Sequence, residues 1–327
     1  MRKGGRKMAR RKIQMVDTGQ MTLEEAFAEF MRKGKVKNLS IATMNTYQYA
    51  LGIFFEFINE ESLISEITRD TIDDYVIWLQ EHKEIKDTTI VTYIRHLRAY
   101  LYFCMDSGYL KKFKICLPKS NKEIKETYTD AELKRLLKKP DVNKCSFVEY
   151  RTWVFENYLL ATGNRISTAL NLRIKDIDFS SGVIILRKTK NRNQQIIPLS
   201  DTLADVLTEY LVYRNGSGDD YVFCNEFGER GASRTYQQAV YRYNIIRNVN
   251  KTSCHLFRHT FAKKWILNGG DIFRLQKILG HSSIDIVKEY VNMFSNDLQV
   301  GFSDFNPLDT LAKPSKTKIK MGGAGRC

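Results

Sequence analysis

The chain has 327 residues, enough by length for two domains that each bury a core. Hydrophobic residues make up 43% and aromatics 12%, a globular profile, and no apolar run is long enough to cross a bilayer. The 52 lysines and arginines outnumber 37 acidic residues, and the formal charge of +15 favours a polyanionic partner, most often nucleic acid, over a basic surface that binds nothing.

The six cysteines, Cys104, Cys116, Cys145, Cys224, Cys254 and Cys327, are scattered, and none forms a C-x-x-C pair. That spacing argues against a thiolate zinc site and against a disulfide scaffold. No apolar segment of the secretory kind follows the basic start. The expectation is a cytoplasmic protein with reduced thiols, in which Cys254 is an ordinary packed side chain.

Residues 1–20, opening "MRKGGRKMARRK", read as a basic flexible arm. Residues 21–110 read as a small domain of four helices. In the first, "TLEEAFAEFMRKG", Thr22 and Glu25 form a capping box and Gly34 is the expected stop. The second, "SIATMNTYQYALGIFFEFINEE", starts at Ser40 or Thr43 and carries Tyr47, Leu51, Phe54, Phe55 and Ile58 at helical spacing. "TRDTIDDYVIWLQEH" repeats the pattern with Ile72, Tyr75, Val76 and Leu79. The fourth, "DTTIVTYIRHLRAYLYFCMDSGY", has Ile90, Ile94, Leu97 and Leu101 and ends near Gly108. The stretch Leu110–Asp130 then loses helical period, is rich in lysine and contains Pro118, so residues 111–127 read as a basic linker.

Residues 128–300 read as a mixed domain. "TDAELKRLLKK" is a capped helix, and "TWVFENYLLATG" is another, stopped by Gly163. "GVIILRKTKNRNQQIIPLS" reads as two β runs, Val183–Leu186 and Ile196–Leu199, around a polar basic turn. The remainder is helical, with Phe257, Phe261 and Trp265 as a core stripe at i, i+4 and i+8. Residues 301–327 form a C-terminal segment with a basic tail; Phe302, Phe305, Leu308 and Leu311 give it an apolar side expected to pack on a neighbouring protomer. The expected fold class is mainly α with a small β-hairpin or sheet.

Five places stand out. They are "TGNR" (Thr162–Arg165), Lys190 in the basic hairpin, "HLFR" (His255–Arg258), His281 and Tyr290. Of the 5 histidines in the chain, His255, His259 and His281 crowd into one short stretch. Singly, each place has a plainer reading as a surface cation or a core aromatic.

Together and in this order they resemble the catalytic domain of tyrosine recombinases, the phage-integrase and Xer-like family. "ATGNRISTALNLRIKDID" is similar to that family's first arginine box, and "LRKTKNRNQQIIPL" to its β-hairpin, with Lys190 in the place of the catalytic lysine. "HLFRHTFAKKWILNGGDIFRLQKILGHSSIDIVKEY" is similar to the second box, which runs through His255, Arg258 and His281 to a nucleophile, Tyr290. The helical region before it resembles the family's core-binding domain. Thr168 stands where the family usually has an acidic residue, and Asn164 replaces a usual apolar one.

The resemblance implies a site-specific recombinase, with its two domains forming a C-shaped clamp on double-stranded DNA. It also implies strand breakage and rejoining through a 3′-phosphotyrosine, a homotetramer joining two sites, and room for an accessory DNA-bending factor. No cofactor or metal is required, because the phosphotyrosine bond conserves the energy of the broken strand. The expected setting is bacterial or phage-encoded, at the nucleoid, without a membrane partner.

The residue types suit that chemistry. A tyrosine hydroxyl can attack phosphorus. Two guanidiniums, Arg165 and Arg258, can grip the non-bridging oxygens of the anionic transition state in a bidentate way. Lys190 is a candidate acid for the departing 5′-oxygen. His255, three positions before Arg258 on one helix face, is the candidate for proton transfer with the tyrosine, and His281 for a hydrogen bond to the phosphate. A type IB topoisomerase shares this chemistry, and a DNA-binding protein with a degenerate site is the remaining alternative. Integration, excision, inversion and dimer resolution all stay open.

Overall fold

The computed structural model describes residues 21–119, 126–187, 194–281, 283, 284, 288 and 290. The basic arm 1–20, Lys190 and the segment 301–327 lie outside the described residues. The chain divides into two compact units between residues 123 and 124.

The N-terminal unit is made of α1 (Leu23–Val36), α2 (Ile41–Phe57), α3 (Arg69–His82) and α4 (Asp87–Asp106). Local chemistry starts three of them. Thr22, Ser40 and Thr68 each accept the backbone N–H three residues on, and Glu25 completes the capping box at Thr22. The apolar stripes then close on one core, with Leu51, Phe54, Tyr75, Ile94, Tyr100 and Leu101 fully buried. The hydroxyl of Tyr100 donates to the carbonyl oxygen of Leu23 at 2.7 Å, pinning α4 to the start of α1.

Two expectations change here. Gly34 does not end α1, which runs on to Val36. A Cβ on Gly34 would lie 2.8 Å from Sδ of Met44, so this glycine lets α2 approach closely; the turn is made by Asn38 at φ 54°. The helical unit also extends past residue 110, because Ile115 is buried in its core and Phe113 and Leu117 pack against it.

The C-terminal unit contains α5 (Asp130–Leu136), α6 (Phe147–Thr162), α7 (Ile166–Ala169), β1 (Ile177–Asp178), β2 (Val183–Leu186) and β3 (Gln195–Pro198). It continues with α8 (Asp201–Arg214), α9 (Ser233–Ile246), α10 (Cys254–Leu267) and α11 (Ile272–Leu279). The sheet is antiparallel in the order β1-β2-β3, so the expected hairpin gains a two-residue third strand. Ile184 pairs with Ile177 on one side and Ile197 on the other, and all three point into the core. Pro198 closes β3, an edge strand, where a missing N–H costs no ladder bond.

Helix α6 is the axis of this unit. It packs against α8, α9 and α10 and is buried along most of its length. The expected stripe on α10 splits. Phe257 enters the main core, while Phe261 and Trp265 join a second cluster around Ala262, Leu275, Leu279 and Tyr290. Each step of four residues turns about 40° further round a helix of 3.6 residues per turn, so the three aromatics fan out over two neighbours. Cys254 is the packed thiol expected, with burial pushing its pKa up to about 12.

Candidate active site

Arg258 lies on the second turn of α10 and is only 5% exposed. Its Nη1 donates to the carbonyl oxygen of Gly163 and its Nη2 to that of Leu279, both at 2.9 Å. The same Nη2 meets Nε2 of His281. Both carbonyls sit at helix ends. Gly163 caps α6 and Gly280 caps α11, each at φ 62°, a left-handed conformation that frees the last carbonyls from the helix ladder. Those carbonyls carry the partial negative charge of the helix dipoles, and they satisfy a buried guanidinium without neutralising it.

Gly163 is also a point of close approach. A Cβ there would lie 2.6 Å from Cδ1 of Phe261 and 2.7 Å from Cδ2 of Leu279. The end of α6, the middle of α10 and the end of α11 therefore converge on this residue. Two positions later Arg165 caps the start of α7, half-buried. Thr168, on α7, is buried and uncharged.

Burial pushes the pKa of Arg258 down to about 10, and the neighbouring Arg165 adds to the effect, while Tyr290 opposes it. Arg165 is also lowered by burial, again opposed by Tyr290. Among the described residues neither guanidinium makes an ion pair. Two cations that disfavour one another and face a phenol form a site that gains by taking up an anion.

Tyr290 is buried in the cluster with Ala262, Leu275 and Leu279. Its ring lies parallel to that of His281, at an interplanar angle of 4° and 6.4 Å between centroids. Its hydroxyl lies 2.9 Å from Nδ1 of His259. Sequence reasoning assigned the proton partner of this tyrosine to His255; the structure puts His259 on the hydroxyl instead. His255 is exposed in the first turn of α10, its backbone N–H on Oγ of Ser253 at 3.3 Å. The signal for His259 was present in "HLFRH", since residues four apart share a helix face, but the reading stopped at the arginine.

Lys190 lies outside the described residues, yet the base of its loop is described. Leu186 pairs with Gln195 across β2 and β3. Nε2 of Gln195 donates to the carbonyl oxygen of Ile278 at 2.7 Å, and also to that of Lys277. Arg187 donates from Nε to Asp176 at 2.5 Å, and Asp176 is almost fully buried. One strand is thus tied to the end of α11, next to the carbonyl that holds Arg258. Neither Gln195 nor Asp176 stood out in the sequence.

The largest cavity, lined by Phe147, Arg151, Tyr236 and Arg242 among others, contains none of these residues. A phosphate on a duplex is met at a surface, and an enclosed pocket is not required of such a site.

Residues 126–296 match the phage integrase family and residues 22–124 match the phage integrase SAM-like domain. Tyrosine recombinase XerC of Oceanobacillus iheyensis is 27% identical over 299 residues, covering 86% of this chain and 95% of that protein. Tyrosine recombinase XerD of Staphylococcus epidermidis is 25% identical over 297 residues, covering 88% of this chain and 99% of that protein. The fold is similar to that of the Tn1549 transposon integrase in complex with transposon right end DNA, with TM-score 0.70, 21% identity, 83% of this chain and 94% of that one. It is also similar to XerH site-specific recombinase bound to a palindromic difH substrate, with TM-score 0.67, 21% identity, 84% of this chain and 83% of that one.

Proposed function

The chain belongs to the phage integrase family of tyrosine recombinases, which cut and rejoin DNA strands at specific sites, and on that footing we propose that Tyr290 is its nucleophile and Arg165, Arg258 and His281 its phosphate-binding groups. The observation that carries this reading is the unpaired guanidinium couple beside a tyrosyl hydroxyl. The phosphate oxygens supply the missing anion. Their charge grows in the transition state, so the couple stabilises that state more than the ground state. His281, already against Arg258, donates a further hydrogen bond to a non-bridging oxygen.

Attack by the Tyr290 oxygen forms a 3′-phosphotyrosine and releases a 5′-hydroxyl. The acid proposed for that oxygen is Lys190, carried on the loop between β2 and β3. His255, exposed beside the couple, is proposed to help hold the phosphate on the same helix face as Arg258. A 5′-hydroxyl from a second site then reverses the step.

Both units are proposed to contact double-stranded DNA, with the charge of +15 set against its phosphates. Four protomers are proposed for the synaptic complex, because two sites each cut on two strands present four scissile phosphates. An accessory DNA-bending factor and a bacterial or phage-infected cytoplasm complete the proposed setting.

The test is covalent capture on a nicked suicide substrate, followed by mass spectrometry of the adduct. Tyr290→Phe is expected to bind DNA and form no adduct. An adduct on another residue, or an undiminished one in Tyr290→Phe, would overturn the assignment. A two-site recombination assay run beside plasmid relaxation separates strand exchange from a type IB topoisomerase activity.

A further inference from the structure

We propose that His259 is the group that takes the proton from Tyr290 as its oxygen attacks phosphorus, an inference that rests on Tyr290 being the nucleophile. The two side chains already meet, with the hydroxyl 2.9 Å from Nδ1 and the rings 5.6 Å apart between centroids. That distance is within the reach a general base needs before any substrate arrives. With its own proton on Nε2, the imidazole presents a lone pair at Nδ1, and the phenol donates to it.

The type of base also fits the surroundings. The phosphate must be met by Arg165 and Arg258 with their charge intact. A carboxylate at position 259 would pair with those guanidiniums and repel the phosphate. A neutral imidazole does neither, and its ordinary pKa of about 6.5 lets it accept a proton near neutrality. His259 follows Arg258 directly on α10, so one helix carries both the grip on the phosphate and the base.

The step balances. The Tyr290 oxygen–phosphorus bond forms as the phosphorus–O5′ bond breaks. The phenol proton passes to Nδ1 of His259, and the departing 5′-oxygen takes a proton from the ammonium of Lys190. In the return step the incoming 5′-hydroxyl displaces the tyrosine oxygen, which recovers its proton from Nδ1.

The test uses the full chain on the suicide substrate under single-turnover conditions. His259→Asn keeps an oxygen close to the place of Nδ1, able to accept the hydrogen bond but not a proton. It is expected to slow adduct formation by about 100-fold or more while DNA affinity is unchanged. Replacing Tyr290 with 3,5-difluorotyrosine, whose phenol gives up its proton more readily, is expected to restore at least ~10-fold in His259→Asn and to change the parent little. A residue that merely supports the fold would show no such rescue. Cleavage by His259→Asn within ~3-fold of the parent overturns the proposal, as does a loss that fluorination leaves untouched. If His259→Asn fails to bind DNA, His259→Gln is put through the same pair of measurements. Failure of the underlying reading shows separately, as the absence of an adduct on Tyr290 in the unaltered protein.

Discussion

Nη1 of Arg258 holds the carbonyl oxygen of Gly163 at 2.9 Å across 95 positions of sequence. A backbone carbonyl orients the guanidinium without cancelling its charge, as a carboxylate would. Arg258→Lys replaces a planar fork by a single ammonium, which cannot hold Gly163 and Leu279 together and still reach a phosphate. Single-turnover cleavage is expected to fall by about 100- to 1,000-fold with DNA affinity nearly unchanged.

The same variant has a pH signature. Burial and Arg165 already depress the pKa of Arg258 to about 10. A lysine starts lower than an arginine, at about 10.4, so the same surroundings bring its deprotonation into the alkaline working range. Residual cleavage by Arg258→Lys is expected to decline as pH rises from about 7 to 9, relative to the unaltered protein over the same range. A constant ratio of the two rates would contradict the electrostatic account of the couple.

Gly163→Ala combines a left-handed φ of 62° with a Cβ driven against Phe261 and Leu279. Left-handed strain of about 1 kcal/mol and overpacking of roughly 1–3 kcal/mol are expected to add. Gly108→Ala is the control, since φ there is 81° but nothing lies within 4 Å. Urea unfolding should show the larger loss at 163 and only the strain at 108. Equal losses would mean that the convergence at Gly163 is not tight.

Glu156 is wholly buried in α6, and neither carboxylate oxygen has a hydrogen-bond partner. Burial raises its pKa well above the usual range, with Arg247 opposing. The folded state therefore holds this proton more tightly than the unfolded chain. The resulting stability is fully present below the unfolded value of 4.5 and is lost as pH rises through the folded pKa. Glu156→Gln removes the dependence, so its advantage over the unaltered protein should grow with pH, by at most ~1.4 kcal/mol per unit. Parallel stability curves for the two proteins would refute this.

Gln195→Ala cuts the tie between β3 and the end of α11. If the loop above carries the acid for the 5′-oxygen, cleavage should slow, and a DNA with sulfur in place of that oxygen should restore it, because a thiolate departs without a proton donor. Lys190→Ala should respond in the same way. A Gln195→Ala defect that sulfur leaves unchanged would separate this tether from acid catalysis.

Much of the framework was legible because it is local. Thr22, Ser40, Thr68 and Thr129 start their helices through atoms three residues away, and Gly163 stops α6 by its own conformation. Gly34 was misread because a glycine that ends a helix and a glycine that admits a neighbouring side chain look alike in sequence. β1 is only two residues long and leaves no periodicity to detect. Of the candidate site, Arg165, Arg258, His281 and Tyr290 do come together. His259 was passed over because its partner is 31 positions away, and Gln195 because its acceptors lie at Lys277 and Ile278. Contacts of that span belong to tertiary packing and have no period.

The carbonyls that seat Arg258 come from the ends of two helices, one long before it in the chain and one 21 residues after it. During synthesis the arginine emerges before its second support exists, and the tyrosine emerges later still. An unfinished or half-melted chain therefore holds no assembled cutting centre. For an enzyme that breaks chromosomes and must keep hold of the ends, the fold itself acts as a safety catch.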